Sequence, residues 1–427
     1  MGSSASGESE IATRQLQPDR LTYNRRQVLK ATALLGAAAL TGPARSTRAQ
    51  AQDATAPGST APGSTAPDGN SAPLPTRPLG KSGLKVPILM QGTAQRLDSR
   101  FDKVLHFCFR NGVTAFDTAR SYGWGSSHGA LKTFIGQIGD RKKLWITSKS
   151  GSGSPEGLAE DLDDALKELG TDYLDLYLMH GIGDTDMLDK KFLQAGERLK
   201  KTGKTRLFGY SCHDGAVVET MEHAARSGGI DAILFRYNFR RYGDKELNRA
   251  MDAAHKAGIG LIAMKTHGGV SISDEAEARF KSKNFTLGQA KLKSVWADER
   301  IASVCSEMDS MAVARENITA ARSPQALSAA EAHGLNRLAA QTAHLSCQGC
   351  ASLCEGALGH RASIADPLRF LMYHQAYGDA DRARRLYRAL PPEKLALQGL
   401  DLEQARTACP QGIDIAARLK LAHRLLA

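Results

Sequence analysis

The segment Phe116-Asp-Thr-Ala-Arg-Ser-Tyr-Gly123 follows directly on an apolar, strand-like run. Runs of this kind recur along the chain, and amphipathic segments with helical spacing lie between them. Eight such units predict an α/β fold, a (β/α)8 TIM barrel, although an open doubly wound sheet would show the same alternation. We predict the strands at Ile88–Gln91, Thr114–Asp117, Leu144–Ser148, Tyr173–Met179, Arg206–Ser211, Ala232–Tyr237, Gly260–Met264 and Ile301–Val304.

Turn-forming residues mark where these elements begin and end. Gly80-Lys-Ser-Gly83 lies between two short runs and predicts a small hairpin over Arg77–Val86, ahead of the first barrel strand. Helices are predicted at Asp161–Leu169, which Gly170 ends, and at Ala216–Arg226, which Gly228 follows.

Several motifs, in this order and spacing, resemble those of the aldo/keto reductase family over about residues 77–321. They are Arg77-Pro-Leu-Gly-Lys-Ser-Gly-Leu-Lys-Val86, the Asp-Thr-Ala-x-x-Tyr-Gly signature at 117–123, Ile146-Thr-Ser-Lys149, Asp172-Tyr-Leu-Asp-Leu-Tyr-Leu-Met-His180 and Gly209-Tyr-Ser211. The resemblance implies an oxidoreductase that acts on a carbonyl or alcohol group. Carried over by position, it implies a catalytic tetrad of Asp117, Tyr122, Lys149 and His180.

The chemistry of these four side chains agrees with that assignment. All four lie at or just beyond the carboxyl ends of predicted strands, the barrel face that carries catalytic groups. Carbonyl reduction leaves charge on oxygen, so a proton donor must reach it, and we expect Tyr122 to be that donor. Lys149 is expected to lower the pKa of the phenol, with Asp117 orienting the lysine and His180 polarising the carbonyl. A buried structural Asp–Lys pair is the alternative.

The resemblance also implies NAD(P)H as cofactor, but the residues expected to hold it depart from the family pattern. Cys212 stands where an asparagine is usual, Leu234 replaces a glutamine, and Met264 replaces a stacking aromatic residue. Asp309-Ser310 replaces the basic pair that receives the 2′-phosphate of NADP, so NAD and NADP both remain open. The expected cofactor contacts are Gly92, Thr93, Ser211, Cys212, Met264, Arg315 and Asn317, and His213 and His267 are expected near the substrate pocket.

The C-terminal hundred residues form a different module. Cys347, Cys350 and Cys354 are followed by a distant Cys409-Pro410, a pattern that resembles ferredoxin-type [4Fe–4S] ligation. A related set of aldo/keto reductases carries such a tail, and four cysteines suit one cluster. A tetrahedral zinc site and two disulfides remain alternatives. The insert Asp366–Leu390 between the cysteines is predicted to be helical and is rich in arginine.

The N-terminus predicts a targeting signal. Arg25 and Arg26 precede a modestly apolar run and the small-residue triplet Ala49-Gln-Ala51, which resembles a twin-arginine signal peptide. Export of the folded protein to the periplasm by the twin-arginine translocase is therefore expected. The predicted domains are the signal at 1–51, a Pro/Gly/Ser-rich linker at 52–76, the barrel at 77–325 and a helical ferredoxin-like cluster module at 326–427.

Composition excludes some classes of function. The formal net charge is +11, but no nucleic-acid-binding motif accompanies it, so no nucleic-acid partner is expected. No apolar run reaches the roughly 20 residues of a spanning helix, so no integral membrane span is expected. The predicted partners are a small carbonyl or alcohol substrate and, because the periplasm holds no NADPH pool, a periplasmic electron donor acting through the cluster. The alternative function is an electron-transfer or binding protein on a barrel scaffold with a relic tetrad.

Overall fold

The computed structural model describes residues 72–213, 215–268 and 279–427. The predicted signal peptide and residues 52–71 of the predicted linker lie outside the described residues. Within the linker range, Leu74 is buried and its N–H donates to the carbonyl oxygen of Gly112 at 3.3 Å. Packed chain therefore begins upstream of Arg77, where we expected it to start.

Eight parallel strands close into a barrel, which confirms the predicted fold and excludes the open sheet. The last strand pairs with the first, through Val304 beside Leu89 and Ser306 beside Gln91. A two-stranded antiparallel hairpin, β1 (Thr76–Pro78) and β2 (Lys85–Pro87), precedes it as predicted. The barrel strands are β3 (Leu89–Gly92), β4 (Ala115–Asp117), β5 (Trp145–Ser150), β6 (Leu174–Met179), β7 (Thr205–Cys212), β8 (Ala232–Arg236), β9 (Gly260–Met264) and β10 (Ile301–Ser306).

Helices on the outside of the barrel connect the strands. Most begin at a polar residue whose side chain accepts from the first turn, as Ser154 does from the Gly157 N–H at 3.1 Å. Among the described helices of this layer, left-handed glycines end two, Gly139 and Gly170, and Gly170 was predicted. The helices around the barrel are α1 (Lys103–Arg110), α2 (Ser127–Ile138), α3 (Pro155–Leu169), α4 (Lys190–Lys201), α5 (Val217–Ser227), α6 (Lys245–Lys256), α7 (Leu287–Trp296) and α8 (Met311–Arg322).

Alternation along the strands divides the core into two parts. Leu176 and Leu178 of β6 belong to a cluster inside the barrel, whereas Tyr177 and Met179 pack outward against the helices. The hairpin closes the amino-terminal end of the barrel, because Leu79 and Val86 join the inner cluster. The opposite end, where the strands finish, is therefore the end that the hairpin leaves uncovered.

The tail is helical, as expected. Two small apolar clusters hold it together, one around Leu368 and Ile413 and the other around Leu371 and Tyr387. Its helices are α9 (Ala329–Gln341), α10 (Ala351–Cys354), α11 (Ala365–Ala376), α12 (Ala380–Arg388), α13 (Pro392–Leu395), α14 (Leu402–Thr407) and α15 (Ile415–Leu426). Across the described residues, none of the helices has the length and apolar character needed to cross a membrane.

The tail packs on the carboxyl-terminal end of the barrel. The Arg236 guanidinium, at the end of β8, donates to the carbonyl oxygen of Cys347 at 2.9 Å, and Arg241 donates to that of Gln348 at 3.1 Å. The close approach of the tail also requires a glycine at position 215, since a Cβ there would lie 2.6 Å from the carbonyl oxygen of Gly349. The tail therefore covers the end of the barrel where the site is expected.

Candidate active site

A buried ion pair joins the second and third barrel strands. Lys149 Nζ, on β5, lies 2.7 Å from each carboxylate oxygen of Asp117, at the end of β4, and 2.8 Å from the carbonyl oxygen of Thr118. Both side chains are at most 4% exposed. Burial is the largest single effect and would lower the pKa of Lys149, but Asp117, with smaller contributions from Tyr122 and Cys305, outweighs it and raises that pKa. Lys149 is therefore a fixed positive charge at the mouth of the barrel.

Tyr122 lies beside this pair. Its ring centroid is 4.6 Å from Lys149 Nζ and 5.5 Å from the centroid of the His180 ring, which it meets edge-on. Burial raises the pKa of Tyr122 to about 12, and Lys149 opposes this rise without reversing it. Lys149 therefore acts on the phenol in the expected direction, but the net pKa lies above the ordinary value, because desolvation is the larger effect. Tyr122 is held in its protonated form.

His180 follows the fourth barrel strand. Its backbone N–H donates to the carbonyl oxygen of Ser150 at 2.8 Å, which holds the residue against the end of β5. Burial, with added repulsion from Lys149 and Arg382, lowers the pKa of the imidazole to about 3. His180 is therefore neutral at ordinary pH and carries one N–H that can donate to a substrate oxygen.

The backbone after β4 places Tyr122 in this group. The Tyr122 N–H donates to the carbonyl oxygen of Ala119 at 3.0 Å, and the chain then turns through Gly123 and Trp124, both with positive φ. A Cβ at Gly123 would lie 3.1 Å from the carbonyl oxygen of Gln95, so a glycine fits this turn best. Arg385 of the tail stacks on the Trp124 ring at 4.2 Å and covers the turn from outside.

A cavity of about 430 Å³ opens beside Tyr122. The barrel contributes Asp117, Leu234 and Met264 to its wall, and the tail contributes Tyr373 and Arg382. His213 and His267 also line it, as expected, and burial lowers the pKa of His267 to about 4. Sequence reasoning missed Lys265, Cys305, Glu307, Tyr373, Tyr377, Asp379 and Arg382. The only signal for the tail residues was the arginine-rich composition of their helices.

The expected cofactor contacts do not all reach this cavity. Gly92 and Met264 line it. The hydroxyl of Ser211 accepts instead from the Gly181 N–H at 2.8 Å, and Cys212 is fully buried in the apolar core. Thr93 donates to the carbonyl oxygen of Asp117 at 3.0 Å.

Asn317 and Arg315, the two expected cofactor contacts on α8, are not among the residues that line the cavity. The Asn317 side-chain amide donates to Ser306 Oγ at 3.0 Å. Arg315 is exposed and lies over the Phe107 ring at 5.4 Å. Asp309 lines the cavity, so an anionic side chain occupies the place of the family's basic pair.

The four tail cysteines lie together. Cys347, Cys350, Cys354 and Cys409 line one small cavity, which the apolar side chains of Ile364, Leu368, Ile413 and Ile415 close. All seven cysteines are free thiols in this structure. Within the described ranges, no group of three or more His, Cys, Asp or Glu side chains forms a site for a single metal ion.

Comparison with known proteins places the barrel in a family. The model described as "Aldo/keto reductase family" matches residues 91–323. The chain is 27% identical over 281 residues to the L-galactose dehydrogenase of Arabidopsis thaliana, which covers 57% of this chain and 87% of that protein. It is 30% identical over 221 residues to the methylglyoxal reductase DkgB of Salmonella typhimurium, which covers 50% of this chain and 79% of that protein.

Solved structures agree on the fold. A holo-form aldo-keto reductase from Bacillus halodurans aligns with a TM-score of 0.54 at 22% identity, covering 62% of this chain and 96% of that chain. Residues 324–427, which include the four tail cysteines, lie outside the family match.

Proposed function

This chain belongs to the aldo/keto reductase family and is an oxidoreductase of carbonyl and alcohol groups, and on that premise we propose that Tyr122 is its proton donor and that its tail carries one [4Fe–4S] cluster. The role of Tyr122 as proton donor is supported by one observation, the buried contacts among Asp117, Lys149, Tyr122 and His180 beside one cavity.

The four side chains suit a reaction in which a hydride equivalent adds to the carbonyl carbon and a proton adds to the oxygen. Tyr122 supplies the proton, and its high pKa keeps that proton in place until the oxygen becomes basic. Lys149 stabilises the phenolate left behind, and Asp117 holds Lys149 in position. The neutral imidazole of His180 donates its N–H to the carbonyl oxygen. Oxidation of an alcohol runs through the same positions in reverse.

The family uses a nicotinamide dinucleotide as its hydride donor, but the residues present here fit that group poorly at its carboxamide end. Leu234 brings no hydrogen-bonding group to the cavity wall, and Cys212 faces the apolar core. The hydroxyl of Ser211 is already engaged with the Gly181 N–H. We therefore derive no step through a dinucleotide. The relic-tetrad alternative rests on this same loss of contacts.

The tail suits a cluster better. Four thiols meet at one apolar cavity, and the buried guanidinium groups of Arg236 and Arg241 lie beside the peptides of Cys347 and Gln348, where positive charge offsets thiolates. Cys347, Cys350, Cys354 and Cys409 would hold the cluster, which transfers single electrons. Burial raises the pKa of Tyr377, and Arg236 lies close enough to oppose that rise. Tyr377 also lines the barrel cavity. A periplasmic donor would supply the two electrons of each carbonyl reduction one at a time through the cluster. Solvent would supply the second proton, beside the one from Tyr122.

Export by the twin-arginine route completes the proposal, since that route carries folded proteins loaded with cofactors. A fusion of residues 1–60 to a reporter should reach the periplasm. Replacing Arg25 and Arg26 together by lysine should leave the reporter in the cytoplasm, and transport that persists would overturn this part.

The experiment for the function is a spectrum and a turnover assay on anaerobically purified protein. We expect broad brown absorbance that bleaches when a low-potential reductant is added and returns when a carbonyl substrate follows. The same measurement with NADH or NADPH as the reductant decides whether a dinucleotide participates. Absence of carbonyl turnover with every electron source would reject the enzyme and favour the relic scaffold.

A further inference from the structure

We propose that the tail completes the substrate site, and that Arg382 of the tail together with Lys265 of the barrel binds an anionic group on the carbonyl substrate. This rests on the proposed function and adds a substrate class to it: small carbonyl compounds that carry a carboxylate. The two cations come from parts of the chain that are 117 residues apart in sequence (265 to 382).

The cavity is shared between the barrel and the tail. Asp117 and Tyr122 line one side of it, and Tyr373, Tyr377 and Arg382 line another. Its volume of about 430 Å³ is within the range of small-molecule sites. A substrate held at Tyr122 is therefore enclosed by tail residues, and those residues help decide which substrates fit.

Two cations converge on one buried ring. Tyr373 is 2% exposed, with Lys265 Nζ 4.5 Å and the Arg382 guanidinium carbon 4.9 Å from its ring centroid. Lys265 Nζ is also 5.3 Å from the centroid of Tyr377. Lys265 also hydrogen-bonds the Tyr373 hydroxyl, and although burial opposes the change, Lys265, Arg369 and Arg382 together lower the pKa of Tyr373 to about 7. As a phenolate, Tyr373 offsets one of the positive charges around it and leaves the site cationic. Across the described ranges, neither Arg382 nor Lys265 forms an ion pair with a carboxylate.

None of the described acids that line the same cavity forms an ion pair with the two cations. Asp379 caps α12, its carboxylate accepting from the Arg382 backbone N–H at 3.2 Å. Glu316 accepts from the hydroxyl of Thr286. Glu307 and Asp309 are exposed to solvent, and among the described residues neither of them forms an ion pair with either cation. An anionic ligand is therefore the natural partner for the two cations.

The position of Arg382 favours a substrate over a dinucleotide as the source of the anion. Arg382 lines the same cavity as Tyr122, and its positive charge slightly opposes the rise in the pKa of Tyr122 and adds slightly to the fall in the pKa of His180. The guanidinium therefore lies near the place where the carbonyl oxygen is held. A carboxylate a few bonds from the carbonyl would reach it. The pyrophosphate of a dinucleotide offers the same anionic oxygens, and the experiment separates the two.

The test is calorimetric titration of the full-length holoprotein with two matched ligand pairs. Pyruvate is compared with pyruvamide, and 4-oxopentanoate with its methyl ester, so that each pair differs in charge but little in shape. The wild type should bind the anion of at least one pair about tenfold or more tightly than the neutral ligand. Arg382→Met should bring that ratio close to one and leave the affinity for the neutral ligand unchanged, and Lys265→Met should reduce the ratio in part.

The matched control is Arg388→Met, on the same helix but exposed, with its guanidinium on the carbonyl oxygen of Ala427 at 2.9 Å. It should keep the wild-type ratio. Equal affinity for anion and neutral ligand in both pairs would overturn the proposal. So would an Arg382→Met variant that weakens NADH binding but keeps the anion preference. Because the readout is binding, loss of the anion preference and loss of carbonyl turnover are separate results.

Discussion

The Arg236 guanidinium donates a 2.9 Å hydrogen bond to the carbonyl oxygen of Cys347 and thereby ties the sixth barrel strand to the first cysteine of the tail. Arg236 is 5% exposed, and burial lowers its pKa, although the Cys347 thiol and nearby phenols oppose that change. Arg236 lies two residues after Leu234, which lines the substrate cavity. The hydrogen bond from Arg236 to Cys347 therefore links the wall of the substrate cavity to the cysteine cavity.

Replacing Arg236 by leucine should loosen the tail. The carbonyl oxygen of Cys347 would lose its buried donor, at a cost of about 1–3 kcal/mol. We expect limited proteolysis to cleave between residues 323 and 328 faster than in the wild type and the cysteine module to lose the proposed cluster more readily. Arg388→Leu, an exposed position, is the control. Unchanged proteolysis would mean that apolar packing alone docks the tail.

Replacing Tyr122 by phenylalanine should lower carbonyl turnover by about 10²–10⁴-fold, because the proton donor is removed. Folding and ligand binding should stay near wild type, since the ring contacts with His180 and Lys149 remain. Tyr173→Phe, whose ring packs under Arg141 on the outside of the barrel, is the control. Steady-state kinetics and thermal melting give both readouts, and an active Tyr122→Phe enzyme would remove Tyr122 from the mechanism.

Lys149→Met should be inactive and also less stable, by about 3–5 kcal/mol, because it leaves the Asp117 carboxylate buried without its partner. The double variant Asp117→Asn with Lys149→Met should recover much of that stability and none of the activity. Denaturant unfolding measures the stability of each variant, and a turnover assay measures its activity. A double variant as unstable as the single one would show that the pair does not act as a unit.

His180 should make the protein sensitive to acid. Its pKa is about 3 in the folded protein, against about 6.5 in an unfolded chain, so between these values the unfolded state binds a proton that the folded state does not. Stability should therefore fall as the pH drops below about 6.5, by up to about 1.4 kcal/mol per pH unit for this group. In His180→Asn, stability should fall less steeply with decreasing pH, because the variant lacks the uptake of about one proton on unfolding. Thermal melting between pH 7 and 4 measures this slope. An unchanged slope would mean that His180 is more solvated than the structure indicates.

Cys409→Ala should lose or degrade the proposed cluster, because Cys409 closes the fourth side of the cysteine cavity. Iron and sulfide should fall from about four each per chain, and the brown absorbance should fade. Cys108→Ala, at a buried position in the barrel core, should keep both. If the wild-type protein is colourless and contains one zinc per chain, the site is a structural zinc site and the cluster proposal is wrong. If the protein contains neither metal nor colour, the disulfide alternative remains.

Asp309→Arg should raise affinity for NADPH about tenfold relative to NADH if a dinucleotide binds along this wall, since a guanidinium pairs bidentately with phosphate. Asp381→Arg, on an exposed part of the tail, is the control. Fluorescence titration measures both constants. Absence of binding with either dinucleotide would mean that the cavity holds another reductant or none.

Much of the barrel could be predicted from sequence because its signals are local. Each predicted strand appears within one or two residues of its expected bounds, and Gly260–Met264 matches at both ends. Asp117, Lys149 and His180 could be placed together because parallel strands bring their carboxyl ends to one rim, whatever the side chains around them.

Tertiary structure alone decided how those residues behave. Periodicity does not distinguish an open sheet from a barrel, because closure depends on β10 pairing with β3 far away in sequence. The same holds for Arg382 and Tyr373, which reach the cavity only through the docking of the tail. The pKa of Tyr122 follows from desolvation by its whole surroundings, and a charge pattern read along the chain misses it. The sequence by itself therefore determined the positions of the strands and the reacting groups. Long-range packing determined the strand order, the enclosure, its charges and the protonation states, since these depend on contacts between distant segments.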